Sequence, residues 1–371
     1  MAHPRPADIE ADVRRDRHRV GLTGRMRADG IPGLVSAAVV DGQPSWSRGH
    51  GLACVDDGIP VGADTVFQCC SLSKPVAAVG VLSLVAAGRV GLDEDVRPLL
   101  AYDIDRHRLY SGAAPAITVR RLLMHRNGIT GRGTTPDKRG RRFVRGGGGS
   151  VRFPGTYDSP IPSIRDFWSG YKGRAGVMVT HAPDQQRSYS GLGYLVLEHL
   201  CEQLTGRRFG EWMDERILGP LGMTASTFDL DPRLGRPLAC GHDSKGRVLP
   251  GRRELCPWSA AAGLYTTAGD MARFLAFLVN EGRVGSEVVL DRDLTVAMTT
   301  DGLCVTVAGR GHNRRFRHTG SNAGFRTILV GYPGPRGGVV VMANSGVIAA
   351  GGGVSAMAAA TARAHRWPGA R

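Results

Sequence analysis

Apolar and polar positions alternate in different rhythms along this chain, and the rhythms predict its elements. Residues 34–40 are a β-branched apolar run between Pro32-Gly33 and the turn signal Asp41-Gly42, which predicts a strand with residues 45–49 pairing back on it. Residues 75–82 are continuously apolar and predict a buried helix running to about residue 87, with Gly88 as its stop. Residues 7–29 are rich in Arg and Asp and read as one surface helix ended by Gly30-Ile31-Pro32-Gly33. Helical spacing recurs over 117–125, with Thr118 as N-cap candidate, over 190–205 and over 209–218. It recurs again over 271–279, where Thr267 and Asp270 form a capping arrangement. Residues 303–309, 325–332 and 338–343 predict three strands separated by Gly/Pro turns, and 354–365 a terminal helix.

Strands at both ends and helices between them imply one sheet built from the two termini, with a helical lobe inserted. The whole chain, 1–371, then forms a single catalytic-sized domain. Its α/β lobe covers approximately 30–70 plus 262–371 and its helical lobe approximately 76–260. Within that lobe residues 131–186 break every pattern. They carry a basic run at 138–142, four glycines at 146–149 and the aromatics Tyr157, Phe167, Trp168 and Tyr171. A stretch so long and polar is a variable loop region that shapes a site or anchors to the body.

Composition narrows the function classes. The formal charge of +15 invites a nucleic-acid reading, but only four of the 48 basic residues are lysine, and Gly and Ala are abundant. That skew reads as composition bias rather than a designed patch; an anionic group on a small substrate is the better use of the charge. The seven cysteines are odd in number and lack C-x-x-C spacing, so neither a disulfide framework nor a zinc site is expected. No H-E-x-x-H cluster points to metal catalysis. No apolar leader opens the sequence and no run of about 18 apolar residues occurs, so the expectation is a cytoplasmic protein without a membrane span.

The chemistry centres on Ser71-Leu72-Ser73-Lys74 at the head of the apolar helix. Residues three apart on a helix share a face, so the Lys74 amine neighbours the Ser71 hydroxyl. Serine is a weak nucleophile that needs a base within hydrogen-bond reach, and free N–H groups at a helix start can stabilise an oxyanion. A lone S-x-x-K arises easily by chance. Two further stretches give it company: Arg187-Ser188-Tyr189-Ser190-Gly191 and Arg317-His318-Thr319-Gly320-Ser321-Asn322-Ala323-Gly324-Phe325.

In that order the three motifs resemble the serine β-lactamase and penicillin-binding-protein superfamily, in its class C–like branch of esterases, D-amino-acid peptidases and acyltransferases. Residues 117–128 and Gly263-Leu264-Tyr265-Thr266-Thr267 with 270–274 resemble two more of its segments, so the likeness runs over nearly the whole chain. The resemblance implies a β-lactamase/transpeptidase-like α/β fold, an antiparallel sheet flanked by helices with an inserted all-helical lobe. It implies Ser71 as the acylated serine, Lys74 as the amine and Tyr189 as the general base or its partner. Tyrosine and lysine both titrate at about 10 in water, so side by side they can share a proton. The backbone N–H groups of Ser71 and Ser321 would form the oxyanion hole. His318, Thr319, Gly320 and Asn322 would meet substrate, with no cofactor and no metal. Tyr194, Ser73, Cys69, Cys70 and His125 read as structural.

Two departures bear on activity. The family's Y-x-N reads Tyr189-Ser190-Gly191, which removes an amide, and the lysine of its K-T-G is His318. Both weaken lactam hydrolysis. The expectation is therefore a serine hydrolase or acyltransferase that takes a small-molecule ester or amide acyl donor, with water, an amine or an alcohol as acceptor. The alternatives are a D-amino-acid peptidase or weak β-lactamase, and, from another class, a binding protein that keeps the fold without catalysis.

Overall fold

The computed structural model describes residues 3–15, 18–130, 178–228, 235–253 and 258–369. Most of the loop region expected at 131–186, including its four aromatics, lies outside them. The frame is a seven-stranded, wholly antiparallel sheet. Its strands are β1 (Gly33–Val40), β2 (Gln43–Cys54), β3 (Ile59–Pro60), β4 (Thr306–Ala308), β5 (Arg315–Asn322), β6 (Phe325–Tyr332) and β7 (Gly337–Ala343). The spatial order is β4-β5-β6-β7-β1-β2-β3, so strands from the two ends of the chain meet where β7 pairs with β1.

Both faces of this sheet are covered. Helix α4 (Ala268–Val279) packs on β7 and β1 from one side, and α5 (Ala350–Ala364) on β7 and β6 from the other. Along β7, Val340 and Met342 enter the core on the α4 side while Val339 and Val341 enter that on the α5 side, the period-two alternation of a strand. This is why β7 and β1 read as unbroken apolar runs: neither face meets water. Helices α1 (Ser73–Ala86), α2 (Val119–Leu123) and α3 (Leu192–Thr205) lie in the intervening chain and join the α4-side core. Thr118 caps α2 by accepting the Arg121 N–H at 3.1 Å, and Thr267 caps α4 by accepting that of Asp270.

Three expectations change. The helix expected over 7–29 is two short helices, Pro6–Ala11 and Gly21–Ala28, with Arg14–Arg15 pairing His18–Arg19 between them. Gly21 takes a left-handed φ of 66°, and Asp12 gathers Arg14, Arg19 and Arg363, so tertiary ion pairs turn the chain there. The strand expected at 303–309 shrinks to β4. The motif between the predicted C-terminal strands is itself a strand, β5; its polar His-Thr-Gly-Ser-Asn sequence hid that.

Candidate active site

Ser71 does not open α1 as expected. It sits in a single 3₁₀ turn, Cys70–Leu72, just ahead of the helix, and Pro75 keeps its place in the first turn of α1. The residue before it, Cys70, has a φ of 55°, a left-handed conformation that an L side chain adopts only under constraint. The constraint is visible: the Thr327 hydroxyl donates to the Cys69 carbonyl at 3.0 Å, and the Cys69 N–H donates to the Leu264 carbonyl at 2.8 Å. Ser73 is structural, donating to the Cys70 carbonyl at 2.6 Å while accepting the Leu264 N–H at 3.0 Å.

The Lys74 Nζ lies 3.2 Å from the Ser71 Oγ and 2.6 Å from the Ala261 carbonyl. Lys74 is 2% exposed, and among the described residues no carboxylate pairs with it. Its ammonium or amine also stands 5.1 Å from the centre of the Tyr189 ring and 5.4 Å from that of Tyr194. Tyr189 is held from both sides by one residue: Ser188 donates its N–H to the His125 carbonyl at 2.8 Å, and Ser190 donates to His125 Nδ1 at 3.3 Å. The two rings lie 4.3 Å apart. Burial pushes the His125 pKa well below the usual range, with Lys74 adding to the effect, so the clamp is an uncharged imidazole.

Strand β5 forms the opposite wall. Asn322 and Phe325 flank its two-residue turn, so alternate residues send their backbone groups to opposite sides, and those of Thr319 and Ser321 face away from β6. Strand β4 covers only 315–317, which leaves 318–322 as a free edge. Gly320 is what lets this edge lie on the Cys69–Ser71 segment: a Cβ there would sit 2.7 Å from the Cys70 Cβ and 3.0 Å from the Cys69 oxygen.

Ser71, Tyr189, His318, Thr319, Gly320 and Ser321 line one cavity of about 540 Å³. Asn322 does not line it; its amide donates to the Ala262 carbonyl at 3.4 Å, which ties β5 to the 259–263 turn. Burial, with Lys74 second, lowers the His318 pKa to about 3, so the group in the lysine's place is neutral at ordinary pH. Sequence reasoning expected an anionic substrate group but did not name the arginines that line the cavity. Arg187, Arg317 and Arg326 line it, and among the described residues none has a carboxylate partner. Arg187 and Arg317 stood in the quoted motifs but carried no signal of their own. Arg326 became legible only through its register opposite Ser321. It missed as well the convergence of Cys54 and Asp57, three residues apart, with the distant Cys240. The Arg252 guanidinium already pairs with Asp57 and approaches both sulfurs.

A serine–lysine pair at the head of a buried helix, faced by a tyrosine and a free strand edge on an antiparallel sheet, fits the serine hydrolases of the β-lactamase/transpeptidase fold. The family model for beta-lactamase matches residues 22–363, and the chain belongs to that family. Esterase EstB of Burkholderia gladioli is 29% identical over 69% of this chain and 68% of its own. Among solved structures, the octameric penicillin-binding protein homologue from Pyrococcus abyssi superposes with a TM-score of 0.72 at 22% identity, covering 94% of this chain and 76% of that one. A class C beta-lactamase does so with a TM-score of 0.70 at 18% identity, over 96% of each chain. These likenesses carry the fold. Among the described residues no helix is long and apolar enough to cross a membrane.

Proposed function

We propose that this protein is a serine hydrolase or acyltransferase that opens a small-molecule ester or amide through an acyl-enzyme on Ser71. The observation that carries the reading is the 3.2 Å contact between the Lys74 amine and the Ser71 hydroxyl at the edge of an open cavity. In this mechanism Lys74 and Tyr189, which share a proton between them, accept the Ser71 proton as Oγ attacks the acyl carbon. The N–H groups of Ser71 and Ser321 hold the developing oxyanion. The proton passes to the leaving alcohol or amine, and water or a second acceptor then releases the acyl group by the reverse path. The name of the relative EstB favours ester substrates.

The acyl donor carries an anionic group. Arg187, Arg317 and Arg326 line the cavity, and among the described residues none has a carboxylate partner; with His318 uncharged, they supply its positive charge from both walls. Covalent labelling with a fluorophosphonate, read by intact mass, tests the reading: the wild type gains one adduct and Ser71→Ala gains none. An adduct that survives the substitution refutes it. A panel of p-nitrophenyl esters with neutral and carboxylate-bearing acyl chains tests the charge; Arg317→Gln raises KM for the anionic esters alone.

A further inference from the structure

The 259–263 turn supplies the carbonyl that holds Lys74, and its own anchorage is unusual. Glu198 projects from the middle of α3 and is 5% exposed, with no cation paired to it among the described residues. Burying a carboxyl without a cation is costly, and an apolar side chain on this helix face would avoid the cost. What the carboxyl meets is the start of the turn. Its Oε2 accepts the Ala260 N–H at 2.9 Å, and the Ser259 N–H bonds to it as well. Such leading N–H groups are the unsatisfied donors of any helical turn, and left unpaired in a core they would pull the turn out of shape.

The same turn then spends its carbonyls on the active site. Ala261 accepts Lys74 Nζ at 2.6 Å, Ala262 accepts the Asn322 amide at 3.4 Å, and Leu264 just beyond donates to Ser73. Glu198 rides on the helix that begins three residues after Tyr189. One side chain therefore joins the segment bearing the tyrosine to the turn that fixes the amine. Gly191 sharpens its importance: a Cβ there would lie 3.6 Å from that of Ala261, so no side chain from position 191 reaches in to share the fixing of Lys74.

We propose that Glu198 is a positioning residue for the acyl transfer, holding the 259–263 turn so that the Ala261 carbonyl fixes Lys74 against Ser71; this rests on the Ser71 acyl-enzyme reading. Burial pushes the Glu198 carboxyl up to about 8, so at neutral pH it is mostly protonated, and glutamine mimics it closely. Glutamine offers an oxygen at the same reach, alanine none, and aspartate one a methylene short.

The experiment compares Glu198→Gln, Glu198→Asp and Glu198→Ala by fluorophosphonate labelling rate, ester kinetics and hydrogen exchange over 258–266. The expected result is Glu198→Gln within about threefold of wild type, with Glu198→Ala and Glu198→Asp down ten- to a hundredfold in kcat at unchanged KM, and faster exchange in the turn for those two. Equal rates for the glutamine and aspartate variants, or unaltered exchange in both the alanine and aspartate variants, overturn the proposal; if the alanine variant does not fold, the other two decide it. Absence of Ser71 labelling in the wild type would instead refute the acyl-enzyme reading, while the exchange comparison would still report whether Glu198 holds the turn.

Discussion

The seating of β5 on the Cys69–Ser71 segment makes Gly320→Ala the sharpest perturbation available. The new Cβ would stand 2.2 Å from the Thr327 Oγ1 and 2.7 Å from the Cys70 Cβ, whereas real Cβ atoms essentially never come within 3.0 Å of another heavy atom. Neither neighbour is a free side-chain end: Thr327 is bonded to the Cys69 carbonyl, and Cys70 is already held at positive φ. The strand edge must therefore retreat by close to an ångström. Overpacking of this kind costs about 1–3 kcal/mol, and the strained Thr327 bond adds about 1 kcal/mol. The retreat also draws the Ser321 N–H away from Ser71. One oxyanion donor is worth about 2.7–4 kcal/mol, or roughly a hundred- to a thousandfold in rate. The assay is the labelling rate of Ser71 alongside the thermal midpoint. Gly320→Ala should label at least a hundredfold more slowly and melt earlier. Adding Thr327→Ala removes the closest clash but leaves that with Cys70, so recovery should be partial. A Gly320→Ala protein that labels at the wild-type rate would refute the idea that this contact sets the oxyanion geometry.

Other expectations follow from the same geometry. Lys74→Met should lower the labelling rate by a hundred- to ten-thousandfold, the usual worth of a general base, and Lys74→Arg should not restore it, because a guanidinium stays protonated; a fast arginine variant would exclude the amine as base. His318 is held neutral, with its folded pKa near 3 against about 6.5 unfolded, so between those values the unfolded chain binds the extra proton. Its contribution is complete above about pH 6.5 and is lost progressively as pH falls toward 3, by roughly 5 kcal/mol in all. His318→Gln should accordingly flatten the acid limb of a denaturant-stability series, and an unchanged limb would contradict the assignment. Gly191→Asn should fold, since a Cβ there meets only Ala261 at 3.6 Å and the φ of −67° suits any residue. It should raise turnover of a chromogenic cephalosporin above a near-absent wild-type level; fast wild-type turnover would remove the significance given to the missing amide.

Much of this protein is determined locally and was legible in its sequence. The apolar runs that became β1 and β7 are continuous because helices cover both sheet faces, and their β-branched content declared them as strands. Thr118 and Thr267 cap their helices as their spacing announced, since a cap depends on residues within one turn. The Ser71–Lys74 neighbourhood is also local, because three residues of helical or 3₁₀ backbone bring the two side chains together. Other features depend on residues distant in the chain, which no local pattern records. The strand character of 315–322 came from pairing with β6 and overrode its polar composition. The positive φ of Cys70 is enforced by Thr327 and Leu264, far along the chain. The neutrality of His318 follows from burial beside Lys74, the placing of Arg317 and Arg326 on the cavity from the register of β5 and β6, and the support of Lys74 from a turn that Glu198 holds across the core. The sequence determined which chemical groups are present and their order; only the tertiary structure, by burying some charges and leaving others facing a cavity, decided which of them can act together.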